Sequence, residues 1–183
     1  ITINNLTLKK SNTINGTQKI TVTNATYTDS TNLAIIGTVE LPGVTNGNVT
    51  IGNVHTEGTT TFTSPYQLDT LTITNGTLTP AASSTNKINT RLTNNGTYTD
   101  STGCTLQLAD GATIDGTPTS GFNNLPNLTV ECLGSAYFNC SNIINTLKAE
   151  SRLGGRTLTF KTDTFQTVTN LSLSGSSITN TLS

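Results

Sequence analysis

The sequence predicts an all-β protein wound as a parallel β-solenoid, and three observations carry this prediction. First, Thr (42 residues), Asn (22), Gly (16) and Ser (15) make up about half of the 183-residue chain, and the β-branched side chain of Thr favours strands. Second, short segments of alternating apolar and polar residues recur throughout, as expected for strands with one buried face. Third, Asn-Gly and Asp-Gly pairs, which are strong turn signals, separate many of these segments.

The same composition must be weighed against disorder, because polar, low-complexity chains often bury too little apolar surface to offset chain entropy. This chain has only five Pro, a net charge of −1 and a regular supply of Leu, Ile and Val, so we expect an ordered fold. Charged residues are 10% of the chain, and its few scattered Lys and Arg argue against a nucleic-acid partner. No apolar run approaches the roughly 20 residues of a membrane-spanning helix.

The alternating segments predict strands along the whole chain, and one segment departs from the pattern. Ser141–Arg152 has Ile143, Ile144 and Leu147 at helical spacing, which predicts a short helix or a decorated loop. The predicted strands include Leu6–Leu8, Ile20–Val22, Val49–Ile51, Leu71–Ile73, Leu106–Leu108, Leu128–Val130, Leu158–Phe160 and Leu171–Leu173. The turn pairs are Asn15–Gly16, Asn46–Gly47, Asn75–Gly76, Asn95–Gly96, Asp110–Gly111 and Asp115–Gly116.

Strands this short bury little individually, whereas a solenoid covers each strand with the next. A phrase that begins with Asn or with Asp-Thr and continues with Leu, then Thr or Ser, then Leu, Ile or Val occurs with its Leu at positions 6, 71, 128 and 171. The first and last gaps between these positions fit three and two coils of about 21.5 residues, whereas the middle gap needs an insertion or deletion. We predict one solenoid segment over residues 1–183, with about 8–10 coils of roughly 18–24 residues. Both ends carry the internal pattern, so we expect a part of a longer repetitive chain.

One longer phrase occurs twice: NATYTDSTN (residues 24–32) and NGTYTDSTG (residues 95–103) match at seven of nine positions. We predict equivalent strand-and-turn segments, with Tyr27 or Tyr98 on a sheet and Asp29 or Asp100 at the bend, where Asp accepts hydrogen bonds from nearby backbone N–H groups. Three or four coils would separate the two acids by roughly 14–19 Å. This is too far for a glycosidase pair, which needs about 5–10 Å.

The three cysteines, Cys104, Cys132 and Cys140, are each in phase with neighbouring apolar residues. This phase predicts small buried core thiols. A Cys132–Cys140 disulfide is the alternative, because exported chains favour disulfides. With one histidine and no C-x-x-C motif, we predict no metal site and no cofactor.

Catalysis is not expected from the distribution of acids and histidine. His55 is the only histidine, and its polar surroundings predict that it faces solvent. Ten carboxylates are spread singly along the chain, whereas polysaccharide-cleaving enzymes pair them. We therefore predict a protein that is not an enzyme, and keep a polysaccharide-active β-helix lyase or hydrolase as the alternative.

Recurring T-x-T triplets raise a second alternative, an ice-binding solenoid, because a flat array of such triplets resembles the ice-binding face of antifreeze solenoids. That array needs one triplet per coil on one sheet. The intervals between the triplets are uneven, which predicts no regular ladder. The triplets include those that begin at Thr21, Thr26, Thr61, Thr72, Thr77, Thr97 and Thr157.

The rhythm of the chain, and phrases such as LDTLTITNGTLTP (residues 68–80) and LPNLTVECLGS (residues 125–135), resemble the β-helical repeat regions of large secreted bacterial surface proteins. These include filamentous-haemagglutinin-like exoproteins and autotransporter passengers. The resemblance implies export, a right-handed parallel β-helix, and adhesion or cell-surface architecture. We expect a structural or adhesive segment at the bacterial surface. Its expected partners are a host or neighbouring-cell surface, or another copy of the chain end to end.

Overall fold

A computed structural model describes residues 1–27, 31–43, 51–99, 103–117, 123–150 and 156–181. These residues form strands and turns and contain no helix, so none of them belongs to a helix that could span a membrane. The strands are β1 (Thr2–Leu8), β2 (Ser11–Tyr27), β3 (Thr31–Leu41), β4 (Ile51–Thr56), β5 (Thr59–Phe62), β6 (Gln67–Ile73), β7 (Thr77–Thr79), β8 (Thr85–Asn94), β9 (Thr97–Tyr98), β10 (Thr105–Leu108), β11 (Ala112–Asp115), β12 (Asn123–Cys132), β13 (Ala136–Phe138), β14 (Asn142–Glu150), β15 (Arg156–Lys161), β16 (Gln166–Ser174) and β17 (Ser176–Thr181).

The described strands pair in parallel, each with the strand that follows one coil later in the chain. The shortest coils are those that stack pairs such as Val54 and Leu71, and the longest are those that stack pairs such as Ile114 and Phe138. These lengths are close to the predicted ones, and the predicted all-β parallel solenoid is confirmed. The longest ladder of stacked positions runs through Asn12, Leu33, Val54, Leu71, Leu92, Ile114, Phe138, Phe160 and Asn180.

The interior of the coils is a continuous apolar column built from alternate strand residues. In β10, Leu106 and Leu108 point inward and are fully buried, whereas the alternate residues Thr105 and Gln107 are partly exposed. Successive strand side chains point to opposite faces of a sheet, so the apolar–polar alternation of the sequence fixes which side of each strand faces the core.

Polar side chains also enter this column, and they are hydrogen-bonded there. The Asn86 amide donates to the Ser84 hydroxyl over 2.7 Å, and the Asn142 amide donates to Gln166 Oε1 over 2.8 Å. Among the described residues, no buried side-chain nitrogen or oxygen lacks a hydrogen-bond partner. The core therefore tolerates Asn and Thr without leaving polar atoms unsatisfied, which would cost about 1–3 kcal/mol each.

A stack of glycines forms the bend between two faces of the solenoid. A Cβ atom on Gly58 would meet the carbonyl oxygen of Gly37 one coil earlier, and a Cβ atom on Gly76 would meet that of Gly58. Backbones of successive coils therefore approach too closely here for any side chain. We call this stack the glycine corner; its members are Gly16, Gly37, Gly58, Gly76 and Gly96.

The helix or loop predicted for Ser141–Arg152 was wrong, because residues 142–150 form the strand β14. Ile144 and Leu147 both face the core. The chain bends between them, and the two consecutive residues Asn145 and Thr146 are both partly exposed. Because of this bend, two inward residues lie three positions apart in the sequence, which is also the spacing expected on one face of a helix.

Candidate interaction surfaces

Three successive coils present threonine at every outward position of β5, β7 and β9. Thr59, Thr77 and Thr97 stack as one column, and Thr61 stacks on Thr79 in the column beside it. The inward residues between the two columns are Thr60, Leu78 and Tyr98, all buried. We call the outward array the threonine face; it consists of Thr59, Thr61, Thr77, Thr79, Thr97 and Thr99.

This ladder is regular, contrary to the irregular spacing of T-x-T triplets in the sequence. The step from Thr59 to Thr77 and the step from Thr77 to Thr97 are one coil each. The triplets appear irregular along the chain because those of different faces are interleaved. Thr72, for example, lies on another ladder, between His55 and Thr93.

The threonine face is a fixed array of hydroxyl and methyl groups. Two residues along a strand place neighbouring threonines about 6.7 Å apart, and adjacent coils place them about 4.8 Å apart. Each hydroxyl offers one donor and two acceptor positions, and the β-branched side chain has few rotamers. The array can therefore meet a neutral, hydrogen-bonding partner with little loss of side-chain freedom.

One coil before the threonine face, its two columns continue with Thr38 and Glu40. The Glu40 carboxylate accepts a hydrogen bond from Lys19 Nζ over 2.6 Å and one from Thr21 Oγ1 over 3.4 Å. This edge thus carries one neutralised ion pair, and in these two columns the next three coils present only threonine.

His55 lies on a different outward ladder, with its side chain 44% exposed, as predicted for a solvent-facing histidine. Its Nε2 lies 3.2 Å from Glu57 Oε1 and 3.1 Å from Thr74 Oγ1. Both contacts use the same ring nitrogen, whereas a catalytic triad uses one nitrogen for the acid and the other for the nucleophile. The geometry at His55 is therefore that of a surface hydrogen-bond cluster.

Beside His55 is a shallow depression of about 270 Å³, formed where Ala34 leaves space between larger outward side chains. A volume this small suits a few water molecules or a small polar group better than a drug-sized ligand, whose sites begin near about 300 Å³. The lining residues are Ser11, Asn12, Thr13, Asn32, Leu33, Ala34 and His55.

The described carboxylates that form side-chain or backbone contacts do so with separate donors along the solenoid. Asp115, for example, pairs with Arg91 Nε at 3.2 Å and accepts from Asn139 Nδ2 over 2.8 Å. A glycosidase pair instead requires two carboxyl groups that face one substrate bond. The other recorded contacts are Glu40 with Lys19, Glu57 with His55, Asp69 with Asn89, Asp110 with the Ser135 backbone N–H and Glu131 with Gln107.

Tyr27 and Tyr98 each lie on a strand as predicted, but the two copies of the repeated phrase do not stack on one ladder, so their predicted equivalence was wrong. Tyr98 stacks in the ladder of Ile20, Val39, Thr60 and Leu78. Tyr27 instead stacks on Leu8, and it lies further along its coil than Ile20 does. The separation of the two phrases is therefore not a whole number of these unequal coils. The predicted turn acids Asp29 and Asp100 lie outside the described residues.

Cys104, Cys132 and Cys140 are buried free thiols, in the core positions that their phase predicts. Burial raises the pKa of the Cys132 thiol to about 12; the Arg156 charge opposes this effect and Glu131 adds to it. Cys104 Sγ lies 2.9 Å from the Ala81 carbonyl oxygen. The Cys132–Cys140 disulfide is not formed in the structure, and it stays a prediction that a mass measurement decides.

No three His, Cys, Asp or Glu side chains in the described part of the chain lie together as metal ligands would. Comparisons with protein-family models, with curated proteins and with solved structures found no match. The stacked parallel coils are consistent with the β-helical repeat regions that the sequence resembles.

Proposed function

We propose that this chain is a structural and adhesive segment of an exported bacterial surface protein, without catalytic activity. The observation that carries the proposal is the threonine face: three coils in register present an uncharged hydrogen-bonding surface on a continuously packed solenoid. The resemblance to filamentous-haemagglutinin-like exoproteins and autotransporter passengers supports the same role. In this proposal the coils supply stiffness, and their outward faces supply contact with a host or neighbouring-cell surface.

The physical basis of the stiffness is the repetition of one interface. Each coil covers the apolar residues of the coil before it, so stability is approximately a sum of coil and nearest-neighbour terms. Backbone hydrogen bonds join every recorded strand pair, for example Leu71 with Leu92 across β6 and β8. A surface protein built this way becomes longer by adding coils, while the width of its core stays the same.

The location is tested with antibodies raised against the purified 183-residue chain. We expect them to label intact, non-permeabilised cells of the source organism, and brief protease treatment of intact cells to remove the label. A cytoplasmic protein serves as the control that must stay unlabelled. Labelling that appears only after lysis would refute export.

Adhesion is tested separately, by coating the purified chain on beads and measuring bead attachment to host-type cells and to other bacterial cells. Thr77→Lys together with Thr79→Lys places two charges in the centre of the threonine face. We expect this variant to attach less than the parent. Thr105→Lys with Thr113→Lys, also outward but on other ladders, is the control and should attach normally.

The threonine face also favours a second candidate, ice binding, because its hydroxyl and methyl groups form a regular two-column array. The expected activity is inhibition of ice recrystallisation by the wild-type chain, abolished by Thr79→Lys and retained by Thr113→Lys. Wild-type protein that leaves ice growth unchanged at high concentration excludes this candidate and leaves the adhesive proposal standing.

A further inference from the structure

Tyr137 differs from the other three tyrosines of the chain, because its ring lies on the outer surface. Tyr27, Tyr66 and Tyr98 are buried, and their hydroxyls have protein partners. Tyr27 donates to the Pro42 carbonyl oxygen over 2.7 Å, whereas Tyr66 and Tyr98 bond to each other. Tyr137 is 43% exposed, and no hydrogen bond joins its hydroxyl to the described part of the chain. Neither core packing nor a buried hydrogen bond accounts for this ring.

The exposure of Tyr137 belongs to the wall of the solenoid and not to either end. In β13 the residue stands between Thr113 of β11, one coil earlier, and Thr159 of β15, one coil later. Threonine side chains are short, so the larger ring projects beyond both of them. Coils added at either end of the chain would stack along the axis, and they would leave this outward ring uncovered.

A row of polar side chains lies beside the ring. Asn139 follows Tyr137 by two residues and is also exposed, so their Cα atoms lie about 6.7 Å apart on one outward side. Asn139 Nδ2 donates to Asp115 Oδ1 over 2.8 Å, and Asp115 Oδ2 lies 3.2 Å from Arg91 Nε. These contacts hold the three polar side chains in place. The Asn139 side-chain oxygen and the terminal amino groups of Arg91 have no partner among the described residues.

We propose that Tyr137 and this polar row form a binding site for a neutral polysaccharide, which the chain holds without cleaving. A sugar ring carries C–H groups on its faces and hydroxyl groups around its edge. The C–H groups pack on the exposed Tyr137 ring, since an aromatic side chain offers a large, rigid apolar surface. The hydroxyl groups donate to the Asn139 oxygen and accept from Arg91, and Asp115 positions both side chains. This site lies away from the threonine face, and it goes beyond the proposed function by giving the chain a ligand of defined chemistry.

The charges and the size of the site favour this ligand over others. Arg91 and Asp115 pair with each other, so the site has little net charge with which to hold an ion. Lys161 lies at the margin, two residues after Thr159 on β15, where an acidic sugar would use it. Cleavage of a glycosidic bond requires two carboxyl groups about 5–10 Å apart, whereas the polar row contains only Asp115. A specific protein interface covers about 800 Å² per partner, whereas the apolar surface here is a single ring among threonines.

The test uses beads that carry dextran, galactomannan or xyloglucan, and it measures how much of the purified chain they remove from solution. We expect the wild type to bind at least one of these neutral polymers. Concentrated salt should leave this binding unchanged, because no ion pair holds the ligand. Tyr137→Ala should weaken binding about tenfold, whereas Tyr137→Phe keeps the ring and should bind as the wild type does.

Phe165→Ala is the matched control, because it also removes an exposed aromatic ring (69% exposed) but from the segment before β16, outside the site. It should bind as the wild type does. Asn139→Ala keeps the proposal testable if thermal unfolding shows that Tyr137→Ala folds poorly. This variant should weaken binding several-fold, because it removes a hydrogen-bond acceptor for the sugar hydroxyls. Lys161→Ala should bind the neutral polymers normally.

Beads that carry polygalacturonate, an acidic polysaccharide, complete the test. Binding to these beads alone, with a loss in Lys161→Ala or in concentrated salt, would overturn the neutral ligand. Failure to bind any of the neutral polymers, or equal losses in Phe165→Ala and Tyr137→Ala, would overturn the site itself. Each of these results leaves surface export and the threonine face to be decided by the experiments above.

Discussion

Tyr66 and Tyr98 share a hydrogen bond inside the core, with 2.8 Å between their hydroxyl oxygens, although 32 residues separate them in the chain. Both rings are buried, so each hydroxyl has exchanged water for protein partners. Burial raises the pKa of Tyr66 well above its usual value, and the neighbouring Tyr98 adds to this effect. The pair therefore links successive coils through neutral hydroxyls.

Removing one of these hydroxyls should destabilise the fold. We expect Tyr66→Phe and Tyr98→Phe each to lower the free energy of unfolding by about 1–2 kcal/mol, because the remaining hydroxyl loses its partner inside the core. The free energy of unfolding should decrease in the double variant by less than the sum of the two single decreases. Urea denaturation of all four proteins measures this coupling, and strict additivity would show that the hydrogen bond contributes nothing specific.

Alkaline pH should destabilise the folded protein because the buried Cys132 thiol resists deprotonation. Burial raises the pKa of the Cys132 thiol from 9.0 to about 12, whereas the unfolded chain releases this proton near the ordinary value. Between these values the folded state binds more protons than the unfolded state, so the stability present below about pH 9 is lost as pH rises. The urea concentration at which half of the protein is unfolded should therefore decrease as the pH rises above about 9. For Cys132→Ala, the urea midpoint should decrease less steeply with pH. Equal slopes for the two proteins would show that Cys132 is not the source of the pH dependence.

The glycine corner predicts one severe and one mild substitution of the same kind. In Gly58→Ala the new methyl group would collide with the backbone carbonyl of Gly37, and a cost of about 3 kcal/mol or more is expected. In Gly16→Ala it would lie 3.1 Å from Ile20 Cδ1, the end of a flexible side chain that can move. Thermal unfolding of both variants checks the difference; similar melting temperatures would argue against close backbone stacking at Gly58.

The three cysteines should remain reduced and unreactive in the native protein. Thiolates, not thiols, react with maleimides and disulfides, and Cys104, Cys132 and Cys140 are buried. We expect maleimide to label three thiols in denaturant and almost none without it. The mass of the unreduced protein supplies the alternative outcome: a loss of two hydrogens, with a cross-linked peptide that contains both Cys132 and Cys140, would establish that disulfide.

The strand pattern of this fold was predictable because most inward positions are apolar, and the alternation in the sequence reflects this directly. Leu106 and Leu108 are buried as their phase predicts. The glycine corner had a signal as well, because its members recur in the sequence at nearly even intervals, one per coil. They are Gly16, Gly37, Gly58, Gly76 and Gly96. Only three of them follow Asn, so a search for Asn-Gly pairs alone detects part of the stack.

Register was less accessible to sequence reasoning, because coils of unequal length change the phase between similar phrases. Tyr27 and Tyr98 lie in almost identical sequences but on different ladders. In the same way, the threonine face is concealed by triplets from other faces that interleave with its own. Assigning residues to ladders needs the position of each bend, and the bend at Asn145 and Thr146 lacks the Asn-Gly or Asp-Gly pair that marks many other bends.

The coil-by-coil register has a mechanical consequence. When the two ends of such a chain are pulled apart, an end coil has only one neighbour to leave, so it should peel off before the coils inside it. Leu71 and Leu92 are stacked one coil apart, and stretching a coil of that length releases about 70 Å of chain. Under load the molecule should therefore lengthen in a series of similar increments, and each increment should absorb mechanical work.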